Sequence, residues 1–276
     1  MLYRPEGMVM AAPATRWIRA YRTTPETSVR LVCFPHAGGS PSAFRTWADM
    51  LPASIEPLAV CYPGRQDRFG EPFAASIQEM ADEIAGALLA HSDMPMALFG
   101  HSMGSIVAHE VALRLQTKYG VRPLRLFVSG SEAPHLRSRL EPQPDDDAAF
   151  LEQLRELGHS SLAAIEEPVL FELVLPSIRS DYRLCAQYQP SIDPPKHRAP
   201  LVAYRGADDA DCRTDDLAAW SRYTCATFEM RVFPGDHFYL QNQEQQLLAH
   251  ISGHLRSDLR LHRVTAGGRA ACPDPS

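Results

Sequence analysis

Residues 96–116 read MALFGHSMGSIVAHEVALRLQ. The run Met96 to Phe99 is apolar and of strand length, and Ser102 to Tyr119 carries helical periodicity closed by Gly120 and Pro123. Between them, Gly100-His101-Ser102-Met103-Gly104 leaves only a sharp turn, so this stretch is a strand, a tight corner and a helix. A GxSxG match arises readily by chance. A corner of this kind has a chemical use, because its flanking glycines let strand and helix approach closely and push the serine hydroxyl out above the sheet. The competing role for Ser102 is that of an ordinary helix N-cap.

Working outward, the same alternation continues on both sides. Strand-like runs are expected at Trp17 to Tyr21, Val29 to Phe34, Glu56 to Tyr62, Leu124 to Ser129, Leu201 to Arg205 and Phe228 to Phe233. Helices fit Ser42 to Leu51, Ile77 to His91, Asp215 to Tyr223 and Glu244 to Leu259. Several strands are near-continuous Val/Leu/Ile/Phe runs, as expected where both faces are buried. The fold class is therefore α/β, a mostly parallel central sheet with helices on both faces. The alternation breaks once. About 70 residues separate the strand ending near Gly130 from the one starting at Leu201, too many for an ordinary connection. The spacing predicts helices over Asp145 to Leu157 and Pro168 to Tyr188 and hence an inserted helical lid. The expected division is a first core part over 1–132, the lid over 133–195, a second core part over 196–260, and a frayed, disordered tail over 261–276.

Composition narrows the function classes. The 276 residues carry a net charge of −6, with 27 basic and 33 acidic side chains and pI near 6.0, the reverse of the footprint that neutralises nucleic-acid phosphates. No stretch reads as a membrane span or signal sequence, so a cytoplasmic location is expected. Six cysteines without a CxxC pair fit reduced thiols better than a disulfide framework.

A serine hydroxyl needs a base to take its proton and a carboxylate to orient that base. In α/β-hydrolases these follow in the order Ser, acid, His. His237, in Phe233-Pro234-Gly235-Asp236-His237-Phe238 just after the last strand, is the expected base. The strand Leu201 to Arg205 runs into Gly206-Ala207-Asp208-Asp209, where the acid belongs. Asp209 is favoured, with Asp208 next and Asp211 a poor third, and any of them also suits a turn-capping role. Asp236 would have to fold back on its neighbour. The tetrahedral intermediate needs NH donors, and the loop Phe34-Pro35-His36-Ala37-Gly38-Gly39-Ser40 after an early strand supplies one. The oxyanion hole is assigned to the backbone NH groups of Ala37 and Met103. His101 and His109 are expected to serve the helix after the corner, and His250 and His254 a solvated helix face. No HExxH or Cys/His spacing argues for a metal.

Four segments in order, LVCFPHAGGSPSAFRTWADMLP, YPGRQDRFGEP, GHSMGSIVAHEVA and PGDHFYL, resemble the type II thioesterases. These are the stand-alone editing enzymes of modular polyketide and nonribosomal peptide biosynthesis. The match runs from about Val29 to Gln241. The resemblance implies hydrolysis of acyl groups from the phosphopantetheine arm of acyl or peptidyl carrier proteins. It implies Ser102 as the acylated residue, His237 as base and then acid, Asp209 as orienting carboxylate, and Ala37 and Met103 as oxyanion donors. No cofactor is implied, since the phosphopantetheine belongs to the substrate's carrier. Arg65, Arg68, Arg137, Arg139, Arg179 and Arg183 are candidates for a basic mouth facing an acidic carrier, against plain surface pairing with Asp67, Glu71 or Asp181. The alternative to the thioesterase is a small-molecule carboxylesterase or lipase-like hydrolase.

Overall fold

The computed structural model describes residues 16–139, 144, 146–156 and 168–267. Seven strands form one sheet: β1 (Ile18–Ala20), β2 (Val29–Phe34), β3 (Ile55–Val60), β4 (Met96–His101), β5 (Leu126–Ser129), β6 (Leu201–Gly206) and β7 (Phe228–Phe233). Their order is β1-β3-β2-β4-β5-β6-β7. β1 runs antiparallel to β3 and every other neighbouring pair is parallel. The helices are α1 (Trp47–Met50), α2 (Ile77–Leu88), α3 (Met103–Lys118), α4 (Asp147–Glu156), α5 (Pro168–Gln187), α6 (Thr214–Ala218), α7 (Tyr239–Asn242) and α8 (Glu244–Gly267). This is the expected α/β-hydrolase architecture.

The two-residue period of the strands sorts their side chains into two cores. Val32, Phe34, Leu98, Val128 and Ala203 face one layer, with Ile84 of α2 and Ile106 and Val111 of α3. Leu31, Cys33, Phe99, Phe127 and Val202 face the other, with Trp47 of α1 and Leu247, Ile251 and Leu255 of α8. Both faces being covered accounts for the unbroken apolar runs. β4 and α3 lie at the centre, and α3 is buried on nearly all sides. The short helix expected over Ser42 to Leu51 is divided into a 3₁₀ turn, Pro41–Phe44, and α1.

Between β5 and β6 the chain forms a 3₁₀ turn, Pro134–Arg139, then α4 and α5. Phe150, Leu154 and Ile178 form a small apolar cluster of their own. The C-terminal half of α5 is not separate, because Leu184, Cys185 and Tyr188 belong to the main core. Leu157, the expected end of the first of these helices, lies outside the described residues.

The tail is corrected in part. α8 does not stop at Leu259 but continues to Gly267, so residues 261–267 are helical although Leu261 and Val264 face solvent. The segment lacks an amphipathic period but holds no proline, and its first glycine is Gly267, so nothing breaks a helix already nucleated upstream. Residues 268–276 lie outside the described residues. Cys33, Cys61, Cys185 and Cys212 are free and buried, while Cys225 is free and exposed. No helix among the described residues is long and apolar enough to cross a membrane.

Candidate active site

Ser102 sits between the end of β4 and the start of α3 with φ 54° and ψ −120°, a backbone conformation that costs energy in a residue with a side chain. Close packing holds it there. A Cβ on Gly100 would lie 2.1 Å from the carbonyl oxygen of Gly104, and one on Gly104 would lie 2.0 Å from that of Phe34. The Ser102 NH donates to the Ser129 carbonyl at 2.7 Å. The Ser105 hydroxyl reaches the carbonyls of Gly100 at 2.8 Å and Ser129 at 3.0 Å. β4, β5 and α3 are thereby locked together around the corner.

His237 follows β7, and its Nδ1 lies 3.0 Å from Oδ2 of Asp209. With Asp209 ionised, Nδ1 carries the proton and donates, which leaves the Nε2 lone pair for another partner. Asp209 is buried with no exposed side-chain surface, and its Oδ1 accepts the NH of Asp211 at 3.0 Å. Asp208 and Asp211 are exposed. Asp236 Oδ1 accepts the Phe238 NH at 2.8 Å and so closes its own turn. The acid and histidine loops are stitched together by Ala207 NH to Phe233 O at 2.7 Å and Asp208 NH to Gly235 O at 2.9 Å. Arg205 donates to the carbonyl of Asp209 at 3.0 Å.

Met103 opens α3, so its NH is one of the helix's unsatisfied donors. Ala37 is buried in the turn after β2, where Gly39 NH donates to His36 O at 2.9 Å. A cavity of about 370 Å³ begins at this turn and runs past Phe238 to Leu154, Val174 and Ile178 of α4 and α5.

Some neighbours have other roles in the sequence reading, or none. The His101 ring lies 5.1 Å from that of His237, at the end of β4 rather than on the helix. His101 Nδ1 meets Ser129 Oγ at 2.9 Å, which in turn meets the Tyr239 hydroxyl at 2.8 Å. Gly130, at φ 56°, has no room for a side chain, since a Cβ would lie 2.7 Å from His101 and 3.3 Å from His237. Burial first, then the charges of His237 and Arg65, lowers the His36 pKa to about 4, so this imidazole is neutral near neutrality. His36 stood in the quoted glycine-rich segment, whereas nothing local in the sequence marks Ser129, Gly130 or Tyr239.

The basic mouth is corrected at three of its six arginines. Arg65 is bound to Asp181 in a buried pair, Arg68 pairs with Glu71 and lies over the Trp17 ring, and Arg179 pairs with Asp147. These cations are held by acids of the chain itself. Arg183 is exposed, and the side chains of Arg137 and Arg139 lie outside what is described.

Among the described residues, two groups bring three ligand-type atoms within 4.8 Å of one another: Asp209, Asp211 and His237, and Glu229, His250 and His254. In the first, both Asp209 oxygens already serve His237 and the Asp211 NH. In the second, His250 and His254 are half-buried and each sets Nε2 against a carboxylate oxygen of Glu229, at 3.1 and 3.4 Å, rather than forming a solvated face.

A thioesterase-domain family model matches residues 29–255. The chain is 40% identical over 242 residues to the thioesterase PikA5 of Streptomyces venezuelae, covering 87% of this chain and 85% of that one. It superposes on the type II thioesterase BorB from the borrelidin biosynthetic cluster with a TM-score of 0.78 at 36% identity, covering 87% and 97% of the two chains. It superposes on YbtT, a type II thioesterase from the yersiniabactin NRPS/PKS pathway, with a TM-score of 0.79 at 30% identity, covering 88% and 99%.

Proposed function

The chain belongs to the thioesterase family, and from that premise we propose that it is a stand-alone editing enzyme of polyketide or nonribosomal peptide biosynthesis. It removes acyl groups from the phosphopantetheine arm of acyl or peptidyl carrier proteins, working in the cytoplasm alongside the synthase. The observation that carries the chemistry is the buried Asp209–His237 pair, 3.0 Å long, whose imidazole lies 5.1 Å from that of His101, the residue before a serine in a strained strand-to-helix corner. PikA5, BorB and YbtT support the choice of substrate class.

In this mechanism Ser102 Oγ attacks the thioester carbonyl while His237 Nε2 takes its proton. Asp209 holds the Nδ1 proton and stabilises the imidazolium that forms. The negative charge on the carbonyl oxygen falls to the NH groups of Met103 and Ala37. Collapse breaks the C–S bond, and the departing thiolate takes the proton from His237. Water then attacks the acyl-serine with His237 as base, the second tetrahedral intermediate collapses, and the proton returns to Ser102 Oγ as the carboxylic acid leaves. The cavity lined by α4 and α5 receives the acyl chain, and the segment 133–195 acts as its lid.

The test is covalent. Incubated with an acyl-pantetheine, the wild type is expected to gain the mass of one acyl group at Ser102 during turnover, and Ser102→Ala to gain none and to hydrolyse nothing above background. Hydrolysis or acylation surviving in Ser102→Ala would overturn the assignment.

A further inference from the structure

Val174, Ile178 and Asp181 fall at i, i+4 and i+7 on α5 and so share one face. The first two line the cavity that begins at the turn after β2. Asp181, 2% exposed, binds Nη2 of Arg65 through both carboxylate oxygens at 2.8 Å, and its Oδ2 also accepts the Gly38 NH at 2.7 Å. Arg65, 6% exposed, sends Nη1 to the Gly39 carbonyl at 3.3 Å. A buried ion pair thus grips the turn after β2 at two points, one NH and one C=O, on the two residues following Ala37. Gly38 takes φ 75° and lies so close to α5 that a Cβ would stand 2.6 Å from Ile178 Cγ1.

A buried ion pair is a poor way to gain stability, because apolar side chains of similar volume do as well or better. What apolar side chains cannot do is accept the Gly38 NH and fix the orientation of the peptide groups around it. A donor misplaced by about 1 Å loses much of its value to a developing oxyanion.

We propose that Asp181, with Arg65, is a positioning residue that holds the Ala37 NH in the oxyanion hole and ties that hole to α5, so that the acyl-cavity wall and the hole move as one unit. The inference rests on the assignment of Ser102 as nucleophile and of Ala37 as a donor. Its consequence is that an acyl chain seated against Val174 and Ile178 presses on the same helix face that sets the hole. Acyl preference then appears in kcat more than in KM.

The experiment replaces the pair by apolar side chains, Arg65→Met with Asp181→Leu, which removes the grip on the turn without leaving a buried charge unpaired. On an acyl-pantetheine, kcat is expected to fall about 10²-fold, as for loss of one oxyanion donor, with KM and the urea midpoint close to wild type. Affinity for a trifluoromethyl ketone analogue, whose adduct places an oxyanion in the hole, is expected to fall by the same factor as kcat/KM. If the double variant does not fold, Asp181→Glu carries the test: it keeps the charge but moves the carboxylate by one methylene, and kcat is expected to fall about tenfold. A folded double variant, or Asp181→Glu, with wild-type kcat would overturn the inference. Ser102→Ala is measured in parallel, and activity surviving there would instead overturn the serine mechanism on which the inference stands.

Discussion

Asp208 and Asp209 are neighbours of identical chemistry, and only their surroundings separate them. Asp208 points to solvent, while the carboxylate of Asp209 is fully enclosed and meets His237 Nδ1. Asp209→Asn is therefore expected to lower kcat by on the order of 10⁴-fold, as in the triad precedent, and Asp208→Asn to leave it within a few-fold. Steady-state rates of the two variants side by side make the check, and comparable losses would contradict it. Gly130 lies under the His101 and His237 rings at φ 56°. Gly130→Ala is expected to lower kcat at least tenfold with a smaller change in KM, because the new methyl must displace the His101 ring and crowd His237, the proposed base. Wild-type kcat in that variant would show the imidazole to be held elsewhere.

At the scale of elements, the proposed catalytic residues are legible because each has a local signature. The glycines flanking Ser102 mark a close approach of backbone to backbone, and His237 directly follows a clear strand. The strands were legible from their apolar runs, since burial on both faces leaves little room for polar residues. Tertiary contacts were not. Nothing near Ser129 or Tyr239 in sequence shows that they meet His101, and Arg65 and Asp181 read as surface charges until the fold brings residues 116 positions apart into one buried pair. The end of α8 was misjudged because its last turns lack an apolar stripe. A second buried pair joins elements in the same unannounced way: Arg125, just before β5, meets Asp258 of α8 through two hydrogen bonds of 2.8 Å. Arg125→Met is expected to cost about 3–5 kcal/mol of stability, because it strands the Asp258 carboxylate. Urea unfolding measures this, and a midpoint equal to wild type would show that the carboxylate finds solvent.

Across the whole molecule, several imidazoles are held neutral, His109 and His197 fully buried and His36 half-buried. Burial first, then neighbouring charge, lowers the pKa of His36 to about 4 and of His109 to about 3, and lowers that of His197 in the same direction. His109 Nδ1 and His197 Nε2 are 2.7 Å apart, so one donates while the other accepts, an arrangement that protonation breaks. In the unfolded chain these groups take up protons near pH 6.5, and in the folded chain only well below it. The unfolded state thus binds more protons in that interval, and stability is expected to fall as pH drops from 6.5 toward 4. Urea midpoints across this range measure the slope, and His109→Asn with His197→Asn is expected to reduce it. A flat profile in the wild type would contradict the buried neutral assignment.

The same scale holds the central claim, since a triad that cleaves thioesters also cleaves esters and cannot by itself identify a carrier-directed enzyme. The direct measurement is single-turnover hydrolysis of one short acyl group presented on a carrier protein, on free pantetheine and as an oxygen ester, with wild type and Ser102→Ala together. Ser102-dependent hydrolysis that is fastest on the carrier-bound thioester is expected. Equal rates on all three, or a preference for the oxygen ester, would contradict it and leave a simple esterase.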